Sequence, residues 1–118
     1  MLLGLALLLL DAPDASACHS DKILAPTWLS RPTGQDILEA YPHRALERQL
    51  SGHTTMRCIV DSTGKMSKCE IVEETPAGHG FGDAELKLAP LYRMTITQPN
   101  GCSNIGAVMV IPMRWSVG

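Results

Sequence analysis

The stretch that decides the fold spans residues 54–73. It consists of T-T-M-R-C-I-V-D (54–61), S-T-G-K (62–65) and M-S-K-C-E-I-V-E (66–73). The two outer runs are rich in β-branched and apolar residues, which favours strands, and Thr63-Gly64 between them indicates a hairpin turn. A two-residue loop at Thr63-Gly64, or a four-residue loop over 62–65, places Cys58 directly opposite Cys69. This register predicts a Cys58–Cys69 disulfide, with the two residues as a hydrogen-bonded pair about 5.5 Å apart at Cα.

A second register stays open for this hairpin. A three-residue loop ending in a bulge at Gly64 shifts the pairing by one residue and turns the two cysteines to opposite faces. The even-numbered loop is favoured because it aligns one face of the first arm with the second arm: Met56, Cys58 and Val60 with Cys69 and Ile71. Two reduced thiols in the core are the alternative to the disulfide.

Helical segments flank the hairpin on both sides. Asp36 can cap a short turn through Ala40, and Pro42 restarts the helix at its first position, where a missing N–H costs nothing. Gly52 is expected just past the end of this helix.

A second helix follows the hairpin. Asp83 is expected to cap it, and it runs to about Arg93, with Pro90 bending or shortening it. The longest strand candidate, from Ile105 to Trp115, alternates apolar residues, and Pro112 places it at a sheet edge because proline has no N–H to donate.

The order helix, hairpin, helix, strand predicts an α+β fold, with two helices packed on one face of a small three-stranded antiparallel sheet. We expect the domain to cover 36–118, preceded by an extended lead-in over 18–35.

The first ten residues, M-L-L-G-L-A-L-L-L-L, are uncharged. As a helix they would be about 15 Å long, roughly half of a bilayer core. With Ala15-Ser16-Ala17 ahead of Cys18, they predict a signal-peptide-like segment over 1–17 and an exported, disulfide-permissive location. Three alternatives stay open: lipidation at Cys18, a buried N-terminal helix, and a start further upstream, since no basic residue precedes the apolar run.

Composition excludes several classes of function. The chain has 118 residues, a net charge of -2 and five aromatic residues, so it fits one compact domain without a surface for stacking nucleic-acid bases. The four histidines are scattered, the cysteines form no C-x-x-C, and G-H-G-F-G at 78–82 lacks the spacing and the lysine of a phosphate loop. We therefore expect no enzyme, no cofactor and no metal site; the pairing of Cys102 stays open.

An ordered set of motifs resembles the TonB C-terminal domain family, in particular short variants with paired hairpin cysteines. The motifs are Y-P-x-x-A from Tyr41, Gly52, C-x-V-x-x-x-G-x-x-x-x-C from Cys58, E-x-P-x-G-x-G-F-G from Glu74, and G-A-V-M-V-I-P-M-R-W from Gly106. The resemblance covers about 26–116.

The resemblance implies a periplasmic protein-binding module that takes part in transmembrane transport. Family members that act as energy transducers grip outer-membrane transporters by strand addition, in which the transporter's short N-terminal box pairs with an exposed edge. Carried over to this sequence, the expected partner-binding residues are Tyr41, Pro42, Ala107, Val108, Met109, Val110 and Ile111. For Tyr41 and Pro42, packing at the start of the helix is the alternative role.

Full transducers also carry a membrane anchor that meets ExbB and ExbD, and a long linker. We expect this sequence to represent either a soluble or lipid-anchored relative or a piece of a longer transducer; contact with ExbB and ExbD would need the anchored form. Pairing of two copies through the exposed edge is a further option. The rival functions are a thiol/disulfide switch and a structural envelope lipoprotein acylated at Cys18.

Overall fold

The computed structural model describes residues 27–117. The predicted signal segment and Cys18 lie outside this range. Five strands and three α-helices follow one another in the order β1 (Trp28–Ser30), α1 (Gly34–Ala40), α2 (His43–Glu47), β2 (Gly52–Val60), β3 (Met66–Thr75), α3 (Phe81–Leu88), β4 (Arg93–Met94) and β5 (Val108–Trp115), with a short 3-10 turn at Ala89–Leu91.

The α+β class is confirmed, but the expectation of two helices on one sheet is too simple. A three-stranded antiparallel sheet has the order β3-β2-β5, and β1 pairs with β4 in a separate two-stranded sheet. The first helical region divides into α1 and α2 because Tyr41, which precedes Pro42, adopts an extended ψ of 131°, as residues before proline tend to do. The second sheet arises because part of the lead-in pairs with the segment after α3.

The hairpin loop differs from the favoured expectation, yet the cysteines meet. Asp61 N–H donates to the Lys65 carbonyl (2.9 Å), and Gly64 has φ +87°, so the loop has three residues, 62–64. A bulge at Lys68, with φ +50°, then shifts the register by one residue. The shift brings Cys58 and Cys69 opposite each other in a disulfide, with their Cα atoms 4.1 Å apart. This is the spacing of a close, non-hydrogen-bonded pair, not the wider one that was expected.

The helix ends also differ from the expected caps. Thr33, not Asp36, is the N-cap of α1, and Asp36 completes a capping box with it. The end of α2 is formed by Gln49 at φ +55°; its N–H donates to Leu46 and that of Leu50 to Ala45, the pattern of a Schellman motif. Gly52 is therefore the first residue of β2 instead of the helix terminator.

For the second helix, Gly80 in the left-handed region precedes α3, and Asp83 lies within its first turn instead of capping it. The α-helix ends at Leu88, and the chain continues as the 3-10 turn that contains Pro90. Pro90 thus shortens the helix, as predicted. The last strand begins at Val108, three residues later than expected.

The core lies between the helices and one face of the three-stranded sheet. Three aromatic rings form its centre: Tyr41 meets Phe81 and Trp115 edge-on, with ring centroids 5.7 and 5.6 Å apart. Met56, Cys58 and Val60 of β2 are buried beside them, so the face that these three residues share is the inward face of the first hairpin arm. Among residues 27–117, no helix packs on the opposite face of the sheet, which this part of the chain leaves open.

Candidate functional site

Within residues 27–117 the three-stranded sheet has two edge strands, β3 and β5, and of these only β5 has a regular ladder to β2. β5 pairs with β2 without interruption from Gly52↔Trp115 to Ile59↔Val108. The ladder between β2 and β3 is irregular at two places, and irregular edges are poor templates for a further strand. The edge position predicted for the last strand from Pro112 is confirmed, and β5 is the edge suited to strand addition.

The outward-facing backbone groups of β5 follow from the ladder. Val60 N–H donates to the Ala107 carbonyl at 3.0 Å. Because bonded residues alternate along an antiparallel pair, Met109 and Ile111 continue the bonds to β2. The groups that face away from β2 belong to Val108, Val110, Pro112 and Arg114, and Pro112 contributes only a carbonyl. No strand in the described range pairs with this side of β5.

The predicted stretch 107–111 therefore divides into two sets. The side chains of Ala107, Met109 and Ile111 are buried in the core and support the strand from inside. Val108 and Val110 point to the open face, and the Val110 side chain is 53% exposed. The outward edge also continues through Pro112 and Arg114, which the resemblance did not include.

Tyr41 and Pro42 lie in different surroundings. Tyr41 is only 3% exposed, and its hydroxyl donates to the Leu50 carbonyl, so its ring holds α1 against the core. Burial also raises the pKa of the Tyr41 hydroxyl. Pro42 is half-buried and lines two surface depressions.

The open face continues from β5 over the other two strands. Arg57 of β2 lies between Val110 and Glu70 in the register and forms an ion pair with Glu70 (Nη1 to Oε1, 3.4 Å). Both side chains are well exposed, so this pair contributes little to stability. The face offers apolar surface beside the edge and charged surface further from it.

A buried carboxyl group was not anticipated. Glu85 of α3 is 0% exposed, and neither of its oxygens has a well-formed hydrogen bond within the described range. Burial raises its pKa to about 7; the Thr54 hydroxyl lowers it in part, and the charge of Glu73 raises it further. The spacing could have shown this, because Glu85 lies four residues after Phe81 and three before Leu88, on the same helix face.

The hydroxyl beside Glu85 also accepts a hydrogen bond from β5. Thr54 Oγ1 accepts a hydrogen bond from Trp115 Nε1 at 2.9 Å, which ties β5 to β2 beneath α3. The charge of Glu85 also acts on Tyr92: burial, with the Glu85 charge adding to it, raises the pKa of Tyr92 to about 12. Glu85 therefore faces uncharged or acidic groups in the core.

Two kinds of feature are absent from residues 27–117. No group of three or more His, Cys, Asp or Glu side chains is arranged to hold a metal ion. None of the helices in this range is long and apolar enough to cross a membrane.

Comparison with known proteins gives three findings. The family described as Gram-negative bacterial TonB protein C-terminal matches residues 38–115. The solution NMR structure of the Pseudomonas aeruginosa TonB CTD is similar with a TM-score of 0.53, covering 79% of this chain and 85% of that one; at 17% identity it shows a shared fold. An uncharacterized protein of Caulobacter vibrioides is 27% identical over 59 residues, which is 50% of this chain and 59% of that relative's length.

Proposed function

We propose, from the premise that the chain belongs to the TonB C-terminal domain family of Gram-negative bacteria, that it is a non-enzymatic protein-binding module of the cell envelope. Its binding mode is strand addition, in which an extended segment of a partner pairs with β5. The observation that carries this proposal is the uninterrupted β5 ladder beside a free edge.

The partner segment would bond to the outward groups of β5. Val108, Val110 and Arg114 each offer an N–H and a carbonyl, whereas Pro112 offers a carbonyl only. Val108 and Val110 are successive outward-facing residues that both have an N–H to donate, whereas Pro112 interrupts the row of donors. The edge over 108–110 therefore anchors the partner most firmly. Val110 and Val108 present apolar surface beside it, which favours β-branched or aromatic residues in the partner.

The finer assignments form part of the same proposal. The partner is the N-terminal box of an outer-membrane transporter, and the location is the periplasm, reached after removal of 1–17 or with an acyl chain on Cys18. In the partner site, Val108 and Val110 supply main-chain bonds, Pro42 supplies surface, and Ala107, Met109, Ile111 and Tyr41 hold the strand and helix in place from within.

The experiment that tests strand addition is a titration of the isotope-labelled protein with a peptide that carries a transporter N-terminal box. We expect amide signals of 108–114 to shift or broaden. Val110→Pro removes an outward N–H and should abolish binding, whereas Val110→Ala keeps the N–H and should bind within a few-fold of wild type. Met109→Pro would not test strand addition, because the Met109 N–H faces β2 and belongs to the β2–β5 ladder.

Two results would contradict strand addition. One is a response confined to helix residues. The other is equal binding by Val110→Pro and Val110→Ala in samples whose thermal unfolding shows that both are folded. A peptide N-methylated at alternate residues provides a second control, since it keeps its side chains and loses main-chain donors.

Cys58 bears on the rival proposal of a thiol/disulfide switch. Cys58 is 1% exposed, whereas Cys69 is half-buried, and thiol exchange needs access to a sulfur atom. Burial restricts exchange to the Cys69 sulfur, and we assign the Cys58–Cys69 bridge a structural role in the proposed module.

A further inference from the structure

The loop between β4 and β5 exposes an asparagine-glycine pair at its tip. Asn100 and Gly101 are both exposed, whereas Asn104, the other asparagine of the chain, is only 2% exposed. An asparagine side chain can react with the main-chain nitrogen of the next residue, and glycine hinders that nitrogen least because it has no Cβ. Asn100 therefore has the neighbour that this reaction needs.

A hydrogen bond holds the Asn100 side chain close to the main chain that follows it. Cys102 N–H donates to Asn100 Oδ1 at 3.0 Å, so the side-chain carbonyl is folded back towards the main chain around Gly101 in an Asx turn. Holding two reacting groups together lowers the entropic cost of their reaction. The same N–H stabilises the negative charge that develops on Oδ1 when a nucleophile attacks Cγ.

The Gly101 nitrogen lies in an open part of the turn. Gly101 has φ +88°, and a Cβ built on it would meet nothing within 4 Å. Its N–H donates to the Gln98 carbonyl at 2.8 Å, and this bond must open before the nitrogen can lose its proton to solvent. A single hydrogen bond in an exposed turn opens at low free energy, because little other structure is lost with it.

Asn104 lies in contrasting surroundings at the base of the same loop. Its N–H donates to the Ile96 carbonyl at 2.8 Å, and its Nδ2 donates to the Thr95 carbonyl at 3.0 Å. The next residue, Ile105, is β-branched, and its side chain shields the main-chain nitrogen. Asn104 thus provides an internal comparison for Asn100 in the same chain.

We propose that Asn100 is a site of spontaneous deamidation. The Gly101 nitrogen loses its proton to solvent and attacks Asn100 Cγ, which closes a succinimide ring. The Cγ–Nδ2 bond breaks, and the amide group takes up a proton and leaves as ammonia. Water then opens the ring at one of its two carbonyl carbons. Breaking the new N–Cγ bond yields aspartate, whereas breaking the original peptide bond yields isoaspartate, whose main chain runs through Cγ.

Deamidation changes both the charge and the geometry of the loop tip. Either product carries a negative charge where the chain had a neutral amide. Isoaspartate also lengthens the main chain inside the turn that Gln98 N–H closes with the Cys102 carbonyl at 2.7 Å. This reaction does not depend on the proposed function, since it involves only water and bonds within this chain.

The test incubates the full folded chain at mildly alkaline pH and follows its proteolytic peptides by mass spectrometry, with isoaspartate detected by methyltransferase labelling. We expect conversion at Asn100 that speeds up with pH, and conversion at Asn104 at least about tenfold slower. Gly101→Ala should slow the reaction of Asn100 at least about tenfold, because its Cβ shields the nitrogen. The control Gly78→Ala alters another left-handed glycine with open space around it and should stay within about twofold of wild type.

Three results overturn the proposal. They are an Asn100 that stays intact in the folded chain while the same chain in urea converts, equal rates at Asn100 and Asn104, and equal rates in Gly101→Ala and Gly78→Ala. Thermal unfolding checks that each variant is folded. Asn100→Gln provides a second comparison that leaves Gly101 unchanged: its longer side chain closes a larger, less favourable ring, so conversion at this position should again slow at least about tenfold.

Discussion

Glu85 links the core of this protein to pH. Its carboxyl group is buried, and burial raises its pKa from 4.5 to about 7. In the unfolded chain the group ionises near its ordinary value, whereas in the folded chain it holds its proton until higher pH. Ionisation therefore disfavours the fold increasingly as pH rises from about 4.5 to about 7, and the full effect is on the order of 3 kcal/mol.

Replacement of Glu85 by glutamine tests this link. Glu85→Gln cannot ionise, so the free energy of unfolding of the variant minus that of wild type should increase between pH 4.5 and pH 7.5, by roughly 2 kcal/mol after allowance for solvent relaxation around the charge. Urea unfolding of both proteins at several pH values measures this difference in the free energy of unfolding. Glu47→Gln, at an exposed helix position, is the control and should give a nearly constant difference. A constant difference for Glu85→Gln would show that its carboxyl group does not titrate differently in the fold.

At the scale of elements, the β2–β3 hairpin depends on two residues in left-handed backbone conformations. Gly64 ends the turn, and its carbonyl accepts a hydrogen bond from Met94 N–H at 2.9 Å. The turn thereby docks on β4, and Arg93 Nε adds a bond to the Thr63 carbonyl at 3.1 Å. Lys68 forms the bulge that restores the register of the cysteines.

Substitution of Gly64 should be far more costly than substitution of another left-handed glycine. A Cβ at Gly64 would lie 2.1 Å from the Met94 carbonyl oxygen, whereas one at Gly78 meets nothing within 4 Å. We expect Gly64→Ala to lower the free energy of unfolding by more than about 2 kcal/mol, and Gly78→Ala by about 1 kcal/mol from backbone strain alone. Chemical denaturation compares them; equal losses would mean that the turn does not dock closely on β4.

Glycine at the bulge should stabilise the hairpin. Lys68 has φ +50°, which costs a residue with a Cβ up to about 1 kcal/mol relative to glycine. Lys68→Gly is therefore expected to raise the unfolding midpoint, and Lys68→Ala, which removes the same side chain but keeps the Cβ, is expected not to. If the two variants behave alike, the left-handed conformation is not the source of the effect.

At the scale of the whole molecule, one covalent bond joins the edge strand β3 to the central strand β2. It closes a loop with a sequence separation of 11 residues and contributes about 3 kcal/mol on the loop-entropy model. β3 lies on the side of the sheet opposite β5 and also packs under α3. Reduction of the disulfide should therefore loosen the sheet on that side.

Urea unfolding with and without reductant measures the contribution of this bond. Reduction should lower the free energy of unfolding of wild type by about 3 kcal/mol. It should lower that of the double variant Cys58→Ala, Cys69→Ala by much less. The variant isolates the effect of this bridge from that of the other cysteines. Free thiols at Cys58 and Cys69 in mass spectra of the unreduced protein would contradict the bridge itself.

The sequence allowed prediction of those parts of the molecule that depend on neighbouring residues. Alternation around Met56 indicated the buried face of β2, and Pro112 indicated an edge, since both effects act within one strand. The bulge at Lys68 left no comparable signal, because lysine has no preference for the left-handed region. The β1–β4 pairing joins short segments far apart in sequence, so it could not be predicted from local patterns.

Unequal edges limit how far copies of this chain can assemble. A fibre grows when every added subunit leaves another edge open, but in the three-stranded sheet of residues 27–117 the bulged β3 offers a poor template and β5 offers a good one. When two copies pair through β5 about a two-fold axis, the regular edge of each copy is occupied by the other. Association then stops at a closed pair. If the proposed partner also pairs with β5, self-association and partner binding would compete for the same strand, and dilution would shift the balance toward the partner.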